Sequence, residues 1–190
     1  LFFSSSLLLN ALANSKLKLN VSSGSIICII SKIFLYYLYI MSKRWGIPTW
    51  LFFHIYVEKI SPAYYNSNHK KCINIIKLIC NNLPCPYCRE DAVKYITKTN
   101  PIDNMITRDL LRVYLFNFHN WVNKKLNKPI FLSEKLEKYK KGVFINAYKY
   151  FCQEFYKPDY VSKHFSHWRR NKMKETLDKE IKEMYKYFYY

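Results

Sequence analysis

Residues Cys72 to Asp91 read CINIIKLICNNLPCPYCRED, and the run ahead of the paired cysteines decides the fold. Cys72, Ile75, Ile76, Ile79 and Cys80 recur at helical spacing, so an amphipathic helix over about 68–82 leads into Cys85-Pro86-Tyr87-Cys88. A redox fold that sets its CxxC behind a buried strand would show alternating strands and helices, and no such alternation follows. Cys72 and Cys80 read as small core residues, the usual fate of a free cysteine on an apolar face. The pair itself opens a new helix, with Cys85 at or near the N-cap, Pro86 at the first helical position and Arg89 to Thr97 in the body.

The pattern stays helical on both sides. Pro48 to about Ile60, PTWLFFHIYVEKI, carries Trp50, Phe53, His54 and Val57 on one face, and SPAYYNSN then breaks it. Downstream, TNPIDN is a second break. A long helix follows from about Thr107 to Asn127, with Leu110, Val113, Tyr114, Phe118, Trp121, Val122 and Leu126 as apolar positions, Thr107 as its cap and Pro129 as its stop. LSEKLEKYKKGVFINAYKYFCQEFY reads as a fifth amphipathic helix, and the charged, aromatic tail beyond Pro158 is helical in its second half.

Composition agrees. Three glycines in 190 residues suit helices and short loops, and leave no GxGxxG or GxxxxGKS loop to cradle a phosphate. Lys and Arg number 31 against 13 Asp and Glu, for a formal charge of +18. That excess is spread along the chain and carried mostly by lysine, without a dominant basic stripe, so nucleic acid is not the expected primary partner. Six cysteines, two of them adjacent as a CxxC, do not form the dense framework of a small secreted domain. A structural zinc site wants two close pairs of ligands, and Cys85/Cys88 has no second pair, so no metal site is expected.

The first methionine is Met41. Ahead of it, Ile26 to Ile40, IICIISKIFLYYLYI, is fifteen residues interrupted by Lys32, short of the roughly 20 that a membrane span needs. Residues 1–40 are read as upstream in-frame translation, with a hydrophobic anchor as the alternative. The domain proper is then 41–155, and 156–190 is a basic, aromatic extension, either a partner- or nucleic-acid-binding appendage or a helical lid on the bundle.

Two further motifs stand in register with the cysteine pair. Gly46-Ile-Pro-Thr49-Trp50-Leu-Phe-Phe-His54 precedes it, and His119-Asn120-Trp-Val122-Asn123-Lys-Lys-Leu126-Asn-Lys128-Pro129 follows it. On a helix, His119, Asn120 and Asn123 project toward one side. Together with Pro84-Cys85-Pro-Tyr-Cys88, these segments resemble the Erv/ALR-type sulfhydryl oxidases from about Lys43 to about Phe155. The alternative on the residues alone is a basic helical binding or scaffold protein with a structural or metal-binding CxxC.

The resemblance implies an all-α fold, a small four-helix bundle with an additional short helix, holding FAD non-covalently in a homodimer. It implies that Cys85 and Cys88 are catalytic, with Cys88 against the flavin and Cys85 facing outward to receive electrons from a protein dithiol or a small thioredoxin-like shuttle. O2 is the implied acceptor and H2O2 the product. Gly46, Thr49, Trp50, His54, His119, Asn120, Val122, Asn123, Lys125, Leu126 and Lys128 would contact the cofactor, and Arg44 is a further candidate cation for its pyrophosphate. Trp50 offers a stacking face, Asn120 and Asn123 amides, and Lys125 and Lys128 cations for the pyrophosphate.

Two departures from the cellular pattern point toward members encoded by large cytoplasmic DNA viruses. There is no second CxxC to act as a shuttle. Phe116 and the stretch Ile130 to Ser133 also lack the cysteines that form a structural disulfide in cellular members. The implied setting is the host cytoplasm or virion. A membrane-anchored or mitochondrial intermembrane-space protein is the alternative, and Cys152 or Cys28 is a candidate lone shuttle thiol.

Overall fold

Ser61 separates the first two helices of the structure, a computed structural model that describes residues 44–157 and 167–189. The segment 1–40, and with it Cys28 and the apolar run, lies outside the described residues. Helix α1 spans 44–59. Ser61 Oγ then accepts from Tyr64 N at 3.4 Å and Pro62 takes the first turn, so α2 runs Pro62–Cys80. This start is earlier than the periodicity predicts. The expected break SPAYYNSN survives only as a kink at Asn68 (φ −129°, ψ 26°), whose side-chain amide donates to Tyr64 O at 3.0 Å.

Helix α3, Pro86–Lys94, begins as expected with Cys85 as N-cap and Pro86 in the first turn, then widens into a π turn over Tyr95–Thr99. A 3-10 turn at Ile102–Asn104 leads to α4, Arg108–Lys125, capped by Thr107 Oγ1 accepting from Leu110 N at 3.3 Å. Leu110 and Val113 were expected on its inner face. They are instead 45 % and 56 % exposed, and Leu111, Tyr114, Leu115 and Phe118 form the buried stripe. The i, i+3, i+4, i+7 template fits both sets, and packing against the core selects the larger one.

The segment expected to be one fifth helix is two. A 3-10 turn, Ser133–Leu136, runs into the short α5, Glu137–Lys140, and after a break comes α6, Phe144–Phe155. The break falls where the chain crosses α1. A Cβ on Gly142 would stand 2.5 Å from Ile55 Cδ1, so only glycine passes without displacing that side chain.

Helix α7, His167–Met184, packs along α2 through Met173, Leu177, Ile181 and Met184, all buried. Each such side chain contributes about 1.5–3 kcal/mol by removal from water. Beyond it, Phe188 stacks on Phe144 at 3.7 Å and forms an isolated antiparallel bridge with Ile60. Tyr187 O accepts from Ser61 N, and Tyr189 N donates to Lys59 O, both at 2.8 Å. The tail is therefore a layer of the bundle. The described residues are all-α, with that bridge as their one strand-like contact, and none of their helices is long and apolar enough to cross a membrane.

One aromatic core joins the elements. Phe52 and Phe53 of α1, Ile76 and Ile79 of α2, Leu115 and Phe118 of α4 and Phe151 of α6 are all within 2 % of full burial. Arg112 of α4 reaches Glu58 of α1, whose side chain is 5 % exposed, and Glu137 of α5 at 3.4 Å, tying three helices on one side.

Candidate functional site

Helices α1, α3 and α4 and the end of α2 enclose a cavity of about 430 Å³. Trp45, Gly46, Ile47, Thr49, Trp50 and Phe53 form the α1 wall, and Cys80 and Leu83 the α2 end. Cys88, Asp91 and Ala92 come from α3. Phe118, His119, Trp121, Val122, Asn123 and Lys125 come from α4, with Leu126, Lys128 and Pro129 at its exit. The three motifs recognised in the sequence therefore meet around one space.

The exit of α4 owes its shape to Asn127, at φ +51° the only non-glycine residue in the left-handed region among the described residues. Lys128 N donates to Asn123 O at 2.8 Å and Asn127 N to Lys124 O at 3.2 Å. These are the paired bonds of a Schellman turn, and Pro129 then prevents the helix from continuing. The turn brings Lys128 back to the cavity that Asn123 and Lys125 line from the helix.

The indole of Trp50 and the imidazole of His119 stack at 4.2 Å and 5° from parallel. Behind them His54 is wholly buried, its Nε2 3.1 Å from His119 Nδ1, with its ring stacked on Tyr139 at 4.8 Å and Phe131 at 5.3 Å. Burial, then repulsion from His119, Lys138 and Arg112, lowers His54 to about 3. Burial, Lys128 and Lys138 lower His119 to about 4. Both imidazoles are neutral near pH 7, and one N–H serves the contact between them. Nδ1 of His54 has no partner among the described residues. It is best left as the bare lone pair, with Nε2 donating to His119 Nδ1 and His119 Nε2 carrying the proton.

Three expected site residues stand elsewhere than in the exposed cavity wall. His54 does not line the cavity; it is one layer deeper and orients His119. Asn120 does not line it either, because Phe131 N donates to its Oδ1 at 2.7 Å and its Nδ2 donates to Phe131 O at 3.0 Å. That closed pair fixes the chain after Pro129 to α4. Cys85, expected to face outward, is 5 % exposed, while Cys88 is half-buried and stands in the cavity wall. The other expected contacts, Gly46, Thr49, Trp50, His119, Val122, Asn123, Lys125, Leu126 and Lys128, all line the cavity.

Cys85 and Cys88 are both free thiols. Cys85 Sγ accepts from Cys88 N at 3.2 Å at the start of α3, where the helix dipole favours negative charge. The hydrogen bond from the Cys88 thiol, with backbone N–H groups of Cys88 and Tyr87, brings Cys85 down to about 7 against burial and the Asp91 charge. Donating that bond, together with burial, pushes Cys88 well above the usual thiol range. The reduced pair thus holds one readily lost proton. Cys72, Cys80 and Cys152 are pushed up to about 11, 12 and 11 by burial, which makes them poor nucleophiles and argues against Cys152 as a shuttle.

Asp91 was not anticipated, although its place three residues after Cys88 on one helix was legible. It forms an ion pair with Lys125, whose Nζ is also 5.6 Å from the Trp121 ring centre. Trp45 and Phe118, outside the motifs, and Phe53 and Trp121, within them but not expected as contacts, complete the flat apolar walls.

The Erv1 / Alr family model matches residues 47–143. The chain belongs to that family. A protein of African swine fever virus (isolate Pig/Kenya/KEN-50/1950) named FAD-linked sulfhydryl oxidase is 39 % identical over 90 residues, covering 46 % of this chain and 71 % of its own length. Another with that name, from isolate Tick/Malawi/Lil 20-1/1983, is 31 % identical over 112 residues, covering 59 % and 92 %. No solved structure matches the chain.

Proposed function

We propose that the cavity holds FAD and that Cys85 and Cys88 deliver to it electrons taken from protein thiols, making the chain a flavin-linked thiol oxidase. Membership of the Erv1 / Alr family and similarity to proteins named FAD-linked sulfhydryl oxidase support the activity. The observation that carries the site assignment is that Cys88 lines the same cavity as Trp50, His119, Asn123, Lys125 and Lys128.

The residues fit the cofactor. A space of about 430 Å³ is within the range of small-molecule sites. Trp50 and His119 present parallel flat faces on which a ring can stack, and His119 is neutral there. Lys125 and Lys128 are the cations suited to a pyrophosphate in a chain without a glycine loop. Bound FAD supplies a two-electron acceptor that O2 reoxidises, giving H2O2.

The chain's own chemistry is thiol–disulfide exchange. With the pair oxidised, a substrate thiolate attacks Cys85 Sγ, the Cys85–Cys88 bond breaks, and Cys88 leaves with the electron pair. A second substrate thiolate attacks the substrate sulfur of the mixed disulfide. Cys85 then leaves, and the substrate departs as a disulfide. The Cys88 N–H and the α3 N-terminus stabilise Cys85 as that leaving thiolate. Because Cys85 is nearly buried, the residues around the turn must shift to admit the substrate sulfur.

With one CxxC in the sequence, electrons enter from a separate dithiol protein, either the final substrate or a thioredoxin-like shuttle. The viral relatives support a viral protein acting in the host cytoplasm during virion assembly, and the same reading includes a homodimer, to be measured by light scattering. The deciding experiment is simple. Purified protein is yellow, releases FAD on denaturation and consumes O2 when given a dithiol. Colourless protein that releases no flavin overturns the proposal.

A further inference from the structure

Helix α7 lies outside the residues that match the family, yet it touches the turn that presents the cysteine pair. Arg169 Nε donates to Asn82 Oδ1 at 3.0 Å, and its terminal NH2 group donates to Asn81 O at 3.2 Å. Asn81 is the C-cap of α2, and Asn82 is 8 % exposed with its Nδ2 bonded to Leu78 O at 2.8 Å. A guanidinium thus closes the carbonyl end of α2, where a cation is favoured, and fixes the side chain of a buried asparagine.

The link from this turn to the redox pair is short and stiff. Two residues separate Asn82 from Cys85. Leu83 is buried and lines the cavity, and Pro84 has a fixed φ and restricts the residue before it. A shift of the Asn81–Asn82 turn therefore moves the N-cap thiol of α3. The Arg169 end of the brace is also held. Arg170 next to it is 8 % exposed and donates to Tyr156 O at 3.4 Å, and Met173, Leu177 and Ile181 anchor the helix behind it.

We infer that Arg169 is a positioning residue for the Cys85–Cys88 pair: α7 braces the turn before Cys85 and biases the balance between dithiol and disulfide. This rests on the reading of the pair as redox-active. The brace is present with both thiols free, and on this inference it holds the turn in that dithiol arrangement. Releasing it shifts the pair toward the disulfide.

The test equilibrates the full-length protein with a ladder of dithiothreitol redox buffers and counts free Cys85 and Cys88 by alkylation and mass spectrometry. Arg169→Gln is compared with wild type, with Arg169→Lys, and with Lys172→Gln, which removes a charge on the same helix without a bond to the turn. The expected result is about a fivefold rise in the disulfide-to-dithiol ratio for Arg169→Gln, about 20 mV for this two-electron couple, with partial recovery in Arg169→Lys and none of the shift in Lys172→Gln. Equal ratios in Arg169→Gln and wild type, or the same shift in Lys172→Gln, overturn it. Failure of the wild-type pair to form a disulfide at any buffer ratio would instead remove the oxidase reading. Equilibration is carried out without O2, so that bound flavin does not turn over and draw electrons from the pair.

Discussion

The rings of Trp50 and His119 stack 4.2 Å apart across the contact between α1 and α4, with His54 held against the far edge of His119 at 3.1 Å. Two motifs 65 residues apart are thereby joined into one aromatic surface. Replacing His119 with alanine removes half of that surface from the cavity wall. FAD affinity is expected to fall about tenfold, at the upper end of what an aromatic pair contributes. Titration of the apoprotein with FAD, followed by flavin fluorescence, measures this. An unchanged Kd would place the cofactor elsewhere.

The same pair sets an acid limit. His54 and His119 stand at about 3 and 4 in the fold, against an ordinary 6.5. Lowered pKa values mean that the unfolded chain takes up protons first as pH falls through 6.5. The stability from keeping these rings neutral is thus complete above 6.5 and declines on acidification toward 4. A loss of about 1 kcal/mol per pH unit per imidazole is expected between pH 6.5 and 5, where most carboxylates remain ionised. Urea midpoints across that window should fall steeply for wild type, and about half as steeply for His119→Phe.

Cys85→Ser is expected to keep flavin at wild-type stoichiometry while dithiol-dependent O2 uptake drops to the rate without protein. The hydroxyl still accepts from Cys88 N at the helix start but cannot form the disulfide. Absorbance of bound flavin and an oxygen electrode give both readings. Full turnover in this variant would move the entry point to another thiol.

Asn127 predicts a stability contrast at one position. Its φ of +51° is tolerated by asparagine, free of strain for glycine and hostile to β-branched residues. Asn127→Gly should lie within about 0.5 kcal/mol of wild type, and Asn127→Val should cost about 1–2 kcal/mol and loosen Lys128 from the cavity. Chemical denaturation of the two variants side by side provides the comparison.

Much of this site was legible because helical spacing specifies which side a residue faces. Trp50, His119, Val122, Asn123 and Lys125 share the cavity as their motifs imply. Depth is a different matter. His54 and Asn120 point toward the same region but end one layer behind the wall, and only the packing of Phe131 and Tyr139 shows it. Helical phase was ambiguous in α4, where Leu110/Val113 and Leu111/Leu115 each complete an apolar stripe. The break at Gly142 is signalled locally only by the glycine itself, while the packing that requires it comes from Ile55, distant in sequence. The joining of the tail to α2 depends on similar long-range packing.

The bonds from Tyr187 and Tyr189 to Ser61 and Lys59 have a consequence for synthesis. The exit of α1 and the entry of α2 emerge early from the ribosome, but their backbone partners lie about 130 residues further on, a long loop to close. A nascent chain can gather α1 to α4 while the seam at Ser61 stays open, and that seam closes only once residues 187–189 have been made.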